Sequence, residues 1–215
     1  VRPVISLRPG IEYISGNGSM ADPYVVDMGM QRPSFSETAI NDGVKTVTIT
    51  YSPKCGSEYT CGYTLNDGTQ VNVTTEKVDL PFSGAGIINA SISDGTETLT
   101  KDHTVKFNKL YVKSDGNNTT GFGTIEKPYK TIGKAYNMAE DTTTIYVMDN
   151  ITETSTVSFT NSKNITLTSC TKSGSTCPTS SANTVTRGNS LIGNLFDAQN
   201  GTLTLSTITL DGNND

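Results

Sequence analysis

Tryptophan is absent from these 215 residues, histidine occurs once, and charged side chains make up only 17% of the chain. Without tryptophan there is no broad aromatic platform for stacking against a ligand. With His103 as the one imidazole, a Cys/His zinc site would have to draw most or all of its ligands from thiols on distant loops, so no metal is expected. Lys and Arg number 16 against 21 Asp and Glu, and the net charge of -5 offers nothing to attract nucleic acid or an anionic membrane. No apolar run is long enough to span a bilayer, so direct membrane insertion is not expected either. Strong helix formers are sparse, which argues against a helical fold.

Thr, Ser, Asn and Gly are abundant instead, the balance of exposed β structure with many turns. The fold class expected is all-β. The length suits one large or two small domains, each able to bury a core, and the patterning favours two. Four cysteines fall as two close pairs, Cys55 with Cys61 and Cys170 with Cys177. Their spacing favours two local disulfides over free thiols or a four-thiolate metal site. Each bridge would close a short loop, with an entropic contribution of roughly 2 kcal/mol, and both imply an oxidising, extracellular setting. The chain opens on Val1 and ends at Asp215 inside a strand-and-turn pattern, which reads as a piece of a longer protein.

Residues 1–28, VRPVISLRPGIEYISGNGSMADPYVVDM, hold two short β-like runs around a Gly16-Asn17-Gly18 turn. The order RPVISL, GxG, DPY resembles the closing strands of domains that recur in surface proteins of Gram-positive bacteria. The segment is therefore either the end of a preceding surface domain or a leader that adds a strand to the next one. Between 29 and 108 the alternation is clear: Val47, Ile49 and Tyr51 face one way and Thr46, Thr48 and Thr50 the other, and Ile88, Ala90 and Ile92 form a second inward row. Asn66-Asp67-Gly68 and Ser93-Asp94-Gly95 mark hairpin turns. Leu99, Val105 and Phe107 belong to the last strands, and roughly six or seven short strands at this spacing predict a β-sandwich. TVTITY, the Cys-bearing loop and the DGT turns resemble bacterial Ig-like repeats. Cys55 and Cys61 are too close to join two sheets, so their bridge is expected to pin a loop.

From 109 to 215 the pattern changes. Within GFGTIEKPYKTIGKAYNMA (121–139), Gly121 and Gly123 permit unusual backbone angles and Pro128 fixes a turn. Tyr129, Ile132, Ala135, Tyr136 and Ala139 then recur at helical spacing, predicting one short amphipathic capping α-helix. Clusters of alternating apolar residues follow at Ile145/Val147, Val157/Phe159, Ile165/Leu167, Val185, Phe196/Ala198 and Leu203 to Leu210. Ile145 and Ile165 stand one repeat of roughly twenty residues apart, and the segment from Cys170 to Asn183 reads as a looped-out insertion before the next repeat at Leu203. YVKSDGNNTTGFGTIEKPYKTIGKA and GTLTLSTITLDGNN resemble the entry and the rungs of pectin-lyase-like right-handed parallel β-helices. That resemblance implies a helix laid across the end of a stack of short parallel strands.

The same resemblance covers lyases, hydrolases, phage tailspikes and adhesins, so it does not by itself give an activity. Lyases and hydrolases on this fold need clustered carboxylates. Asp149, Glu153, Asp197 and Asp211 are scattered and read as exposed turn carboxylates, and no catalytic residue is assigned. His103 reads as a surface residue near an edge strand, and Asp115, Asn117 and Asn118 as a turn rather than a cation site. The candidate sugar-stacking residues are Tyr59, Tyr63, Tyr111 and Tyr129. The expectation is a monomeric extracellular structural or adhesive module, with no cofactor, whose partner is a glycan or a host surface protein. The alternatives are the front of a polysaccharide lyase or hydrolase with its active rungs beyond residue 215, and a phage tail-fibre piece.

Overall fold

The computed structural model describes residues 12–16, 18–27, 29–179 and 182–213. Strands account for about half of it, arranged in several sheets with one short helix, so the all-β expectation holds. β1 (Glu12–Ser15) and β2 (Val25–Asp27) form an antiparallel hairpin across the expected turn and pair with no other described strand. The RPVISL run, residues 2–7, lies outside the described residues.

The next seven strands make two antiparallel sheets. β3 (Ser34–Glu37), β4 (Lys45–Thr50) and β7 (Lys77–Phe82) form one, in that order. The other runs β6 (Val71–Val73), β5 (Thr60–Leu65), β8 (Gly86–Ser93), β9 (Thr98–Val105). Period-two patterning puts Val47 and Ile49 of the first sheet, and Ile88, Ala90 and Ile92 of the second, into one shared core with no exposed surface. Asn66 and Asp67 both have positive φ and Gly68 N–H closes on the Leu65 carbonyl at 2.8 Å, the two-residue hairpin geometry that suits twisted strands. The Cys55–Cys61 bridge forms and ties the loop before β5 to its strand.

Only Lys106 separates β9 from β10 (Phe107–Val112), so Phe107 opens the next sheet rather than closing the previous one. After β10 every strand pair is parallel. β11 (Ala139–Val147), β12 (Ile151–Glu153) and β13 (Val157–Phe159) are followed by β14 (Asn164–Ser169), β15 (Asn183–Arg187) and β16 (Phe196–Ala198), then by β17 (Thr202–Ser206) and β18 (Ile208–Asp211). Successive circuits of chain build the sheets β10-β11-β14-β17, β12-β15-β18 and β13-β16, the last described strands, β17 and β18, extending the first two. Leu110, Ile145, Leu167 and Leu205 stack in one inward row, and Ile151, Val185 and Leu210 in another. The repeat differs from the expected register: Ile145 pairs with Leu167, and Ile165 with Thr143. The shift is an even number of residues, so the same face stays inward. The Cys170–Cys177 bridge closes the inserted loop, which leaves the sheet after Cys170 and returns by Asn183.

The helix α1 spans Ile132–Asn137 only. Tyr129 and Ala139, expected on its apolar stripe, are taken into backbone pairing instead. Tyr129 N–H donates to the Tyr111 carbonyl, the Tyr129 carbonyl accepts from Lys113 N–H, and Ala139 sits opposite Phe107. Of the two glycines, Gly123 has the positive φ of +64°, while Gly121 does not require one. A helix this short cannot sustain itself, and its ends are held by outside groups. Thr131 Oγ1 accepts from Lys134 N–H, Glu153 Oε1 accepts from Ile132 N–H at 2.6 Å, and Lys163 Nζ donates to the Tyr136 and Ala139 carbonyls at 3.1 and 2.8 Å. A carboxylate at the first turn and an ammonium at the last both suit the peptide dipoles. Glu153 is therefore not an exposed turn acid: it is 3% exposed on the inward face of β12.

Burial raises the Glu153 pKa above the ordinary carboxylate value, and the Ile132 N–H bond only partly offsets it. Its folded pKa exceeds the unfolded one, so the folded state loses stability as pH rises through that interval. Glu153→Gln keeps an acceptor for Ile132 and cannot ionise. In urea denaturation its stability should gain on the parent between pH 4 and pH 8, whereas Glu153→Ala should lose about 1–3 kcal/mol at pH 4, a deficit that narrows toward pH 8. Parallel pH curves for parent and Gln variant would show that the carboxyl is not desolvated.

Candidate ligand groove

The free edge of β10 is covered by its own continuation. Residues 113–130 fold back so that Tyr111 N–H reaches the Gly123 carbonyl at 2.9 Å, and Asn117 and Asn118 side-chain oxygens accept backbone N–H groups within the loop. Asp115 pairs with Lys113 at 2.8 Å, so this segment is the expected turn. The returning loop meets the β7–β8 connection so closely that a Cβ on Gly84 would stand 2.5 Å from the Phe122 carbonyl. Asn66 bridges the two: Oδ1 accepts from Ile87 N–H and Nδ2 donates to the Gly121 carbonyl at 2.8 Å. Tyr129, with no exposed surface, donates its hydroxyl to the Ala85 carbonyl at 3.0 Å, and burial raises its pKa well above that of a free phenol.

Between these walls lies a groove of about 840 Å³. Pro81 to Gly84 line one side, Asn108, Lys109 and Tyr111 the floor, and Phe122 to Lys127 the other side, with Ser175 of the disulfide loop at one end. Lys127 Nζ lies 5.4 Å from the Phe122 ring centroid, and Lys109 Nζ lies 5.7 and 5.3 Å from the rings of Tyr111 and Tyr146, which stack on each other at 5.1 Å. Glu126 is paired with Lys172 at 2.6 Å, joining the entry loop to the disulfide loop. Tyr111, Met148 and the Cys170–Cys177 bridge form a small apolar cluster beneath them.

Of the four tyrosines singled out from the sequence, only Tyr111 lines this groove. Tyr129 is a core pillar, and Tyr59 and Tyr63 are half-buried against the core of the antiparallel sheets. Sequence reasoning missed Phe122, Lys109, Lys127 and Asn108. Phe122 sits between two glycines in a loop, where no periodicity marks its direction. His103 Nε2 lies 2.7 Å from Glu37 Oε1 with its ring stacked on Phe35, closing one side between β3 and β9. Among the described residues no group of three or more His, Cys, Asp or Glu side chains could hold a metal ion, and no helix is long and apolar enough to cross a membrane. No protein-family model, curated protein or solved structure matches the chain.

Lys45 fixes the back of the junction. Its side chain is 6% exposed, and Nζ donates to Glu37 Oε2 at 3.0 Å, to the Lys106 carbonyl at 2.9 Å and to Glu140 Oε1 at 2.7 Å, with the Phe107 ring 5.5 Å away. Burial by itself lowers the ammonium's pKa, but the hydrogen bonds to Glu140 and Glu37 outweigh it and the net shift is upward. The folded pKa thus exceeds the unfolded one. The stabilisation is complete below pH 10.5 and is lost as pH rises through the folded value. Lys45→Met should cost about 2 kcal/mol near neutral pH, a gap that urea denaturation will find constant to pH 10 and narrowing above it. A variant as stable as the parent at pH 7 would remove Lys45 as the tie.

Proposed function

We propose that this chain is an extracellular structural and adhesive module of a Gram-positive bacterial surface protein, and that the groove at its junction binds a glycan. In this reading residues 29–108 are an Ig-like β-sandwich and residues 109–215 are the cap and first rungs of a right-handed parallel β-helix. The three- and four-stranded antiparallel sheets around one core support the first assignment. The successive circuits that build the parallel sheets support the second. Two disulfides suit an oxidising compartment.

The observation that carries the glycan reading is the groove's lining. Phe122 gives it an aromatic wall for the apolar face of a sugar ring, while Ser83, Asn108 and Ser175 bring hydroxyl and amide groups to its lining. Among the described residues, those three side chains have no hydrogen-bond partner. The test is binding of the 215-residue chain to an array of glycans with matrix proteins spotted alongside. A saturable, selective glycan signal is expected. It should weaken roughly fivefold in a Cys170→Ser/Cys177→Ser variant, because the wall carrying Ser175 must then be ordered on binding. A blank array, or a signal confined to the proteins, would refute the reading.

A further inference from the structure

We infer that the groove's ligand is an acidic saccharide, whose carboxylate or sulfate is received by Lys109 and Lys127 while its ring lies against Phe122. This rests on the glycan reading above and adds the ligand's charge to it.

The groove's ionic balance points this way. Its single acid, Glu126, is already neutralised by Lys172. Lys113 and Asp115, which line a smaller pocket of about 270 Å³ that shares Glu126 with the groove, pair with each other. Lys109 and Lys127 are the two cations of the lining, and among the described residues neither meets a carboxylate: their contacts are with aromatic faces. Two uncompensated ammonium groups thus face one groove in a chain whose net charge is -5. Local positive charge attracts anions at short range even where the chain as a whole is acidic.

The aromatic contacts also hold these two side chains in place. An ammonium over an aromatic face keeps its remaining N–H donors available, and the ring limits how far the chain can swing away. Interaction with the Tyr111 hydroxyl further raises the Lys109 pKa above the ordinary lysine value, so it is charged throughout the neutral range. Lys109 rises from β10, the floor, and Lys127 from the returning loop, the wall. The two therefore approach a ligand from different elements, which suits an anion fixed at one point on a ring. The uncharged polar groups of Ser83, Asn108 and Ser175 in the lining are matched to hydroxyls, which an acidic saccharide carries beside its anionic group and an acidic peptide mostly lacks.

Titration calorimetry of the 215-residue chain provides the test, using hexasaccharides of hyaluronan and alginate, which carry carboxylates, of chondroitin sulfate, which adds sulfate, and of chitin, which is neutral. At least one acidic hexasaccharide should bind roughly tenfold or more tighter than the neutral one, and its affinity should fall as sodium chloride is raised. Lys109→Gln/Lys127→Gln should bring it to the neutral level, and Lys54→Gln/Lys130→Gln, on exposed lysines outside the groove, should leave it unchanged. Preference for carboxylate over sulfate, or the reverse, identifies the anion. Equal binding of neutral and acidic sugars, or an acidic sugar indifferent to the groove double variant, would overturn this inference and leave the glycan reading standing. If none of the hexasaccharides binds, this inference falls, and the glycan reading stands or falls with the array.

Discussion

One ammonium group holds the chain together at its narrowest point. Between the antiparallel and parallel sheets the main chain is a single residue, Lys106, and the carbonyl of that residue is a ligand of Lys45 Nζ. The same nitrogen takes a carboxylate from β3 and another from β11, so strands from both sides of the connector converge on one charge. A buried ammonium without partners would be costly, and three oxygen acceptors remove that cost only while all the elements are in position. The arrangement therefore rewards a single relative placement of the sheets. Phe107, Leu110, Ala85 and Tyr129 then fill the space behind it, and the apolar core continues without a break from Val47 to Val185.

The groove follows from this constraint. Its walls belong to the β7–β8 connection and to the loop after β10, which are far apart in sequence and are held by Asn66, by Tyr129 and by the close approach at Gly84. Of those contacts only the close approach at Gly84 involves a residue proposed to touch a ligand, and it does so through the Phe122 backbone carbonyl rather than the ring. Rigid support and a chemically free rim are thus carried by different side chains, an arrangement that keeps a binding surface preorganised. The parallel sheets contribute differently: their inward rows are fully enclosed at Leu110, Ile145 and Leu167, and open to 42% exposure at Leu205.

What could be read from the sequence was local and periodic. Strand alternation around Val47 and Ile88, the turns at Asn66 and Asp94, both disulfides, and the insertion after Cys170 all announce themselves within a few residues, through period two, through positive-φ residue types or through spacing. The helix was legible in existence but not in extent, because Tyr129 and Ala139 fit the helical stripe and the sheet equally well and backbone pairing with β10 decided between them. The partner of Ile145 was misjudged by two residues, an error that face alternation cannot detect. Glu153 looked like an exposed turn acid because its partner is a backbone group of a helix that precedes it by a full circuit. For the groove, the limiting fact is that Phe122, Lys109 and Ser83 meet only through tertiary packing, which leaves no mark on neighbouring positions.

The insertion closed by Cys170 and Cys177 leaves the stack at a corner, and the rows on either side of it remain in register, Ile165 on Leu203 and Ile151 on Val185. A corner of this kind tolerates changes in loop length and composition at little cost to the scaffold. Because Ser175 and Lys172 of that loop stand at the groove, the place where the chain is freest to vary is also a place that shapes what it recognises. Descendants of such a sequence could exchange one ligand for another by rewriting a dozen or so residues there, while every stacked row beneath them stays as it is.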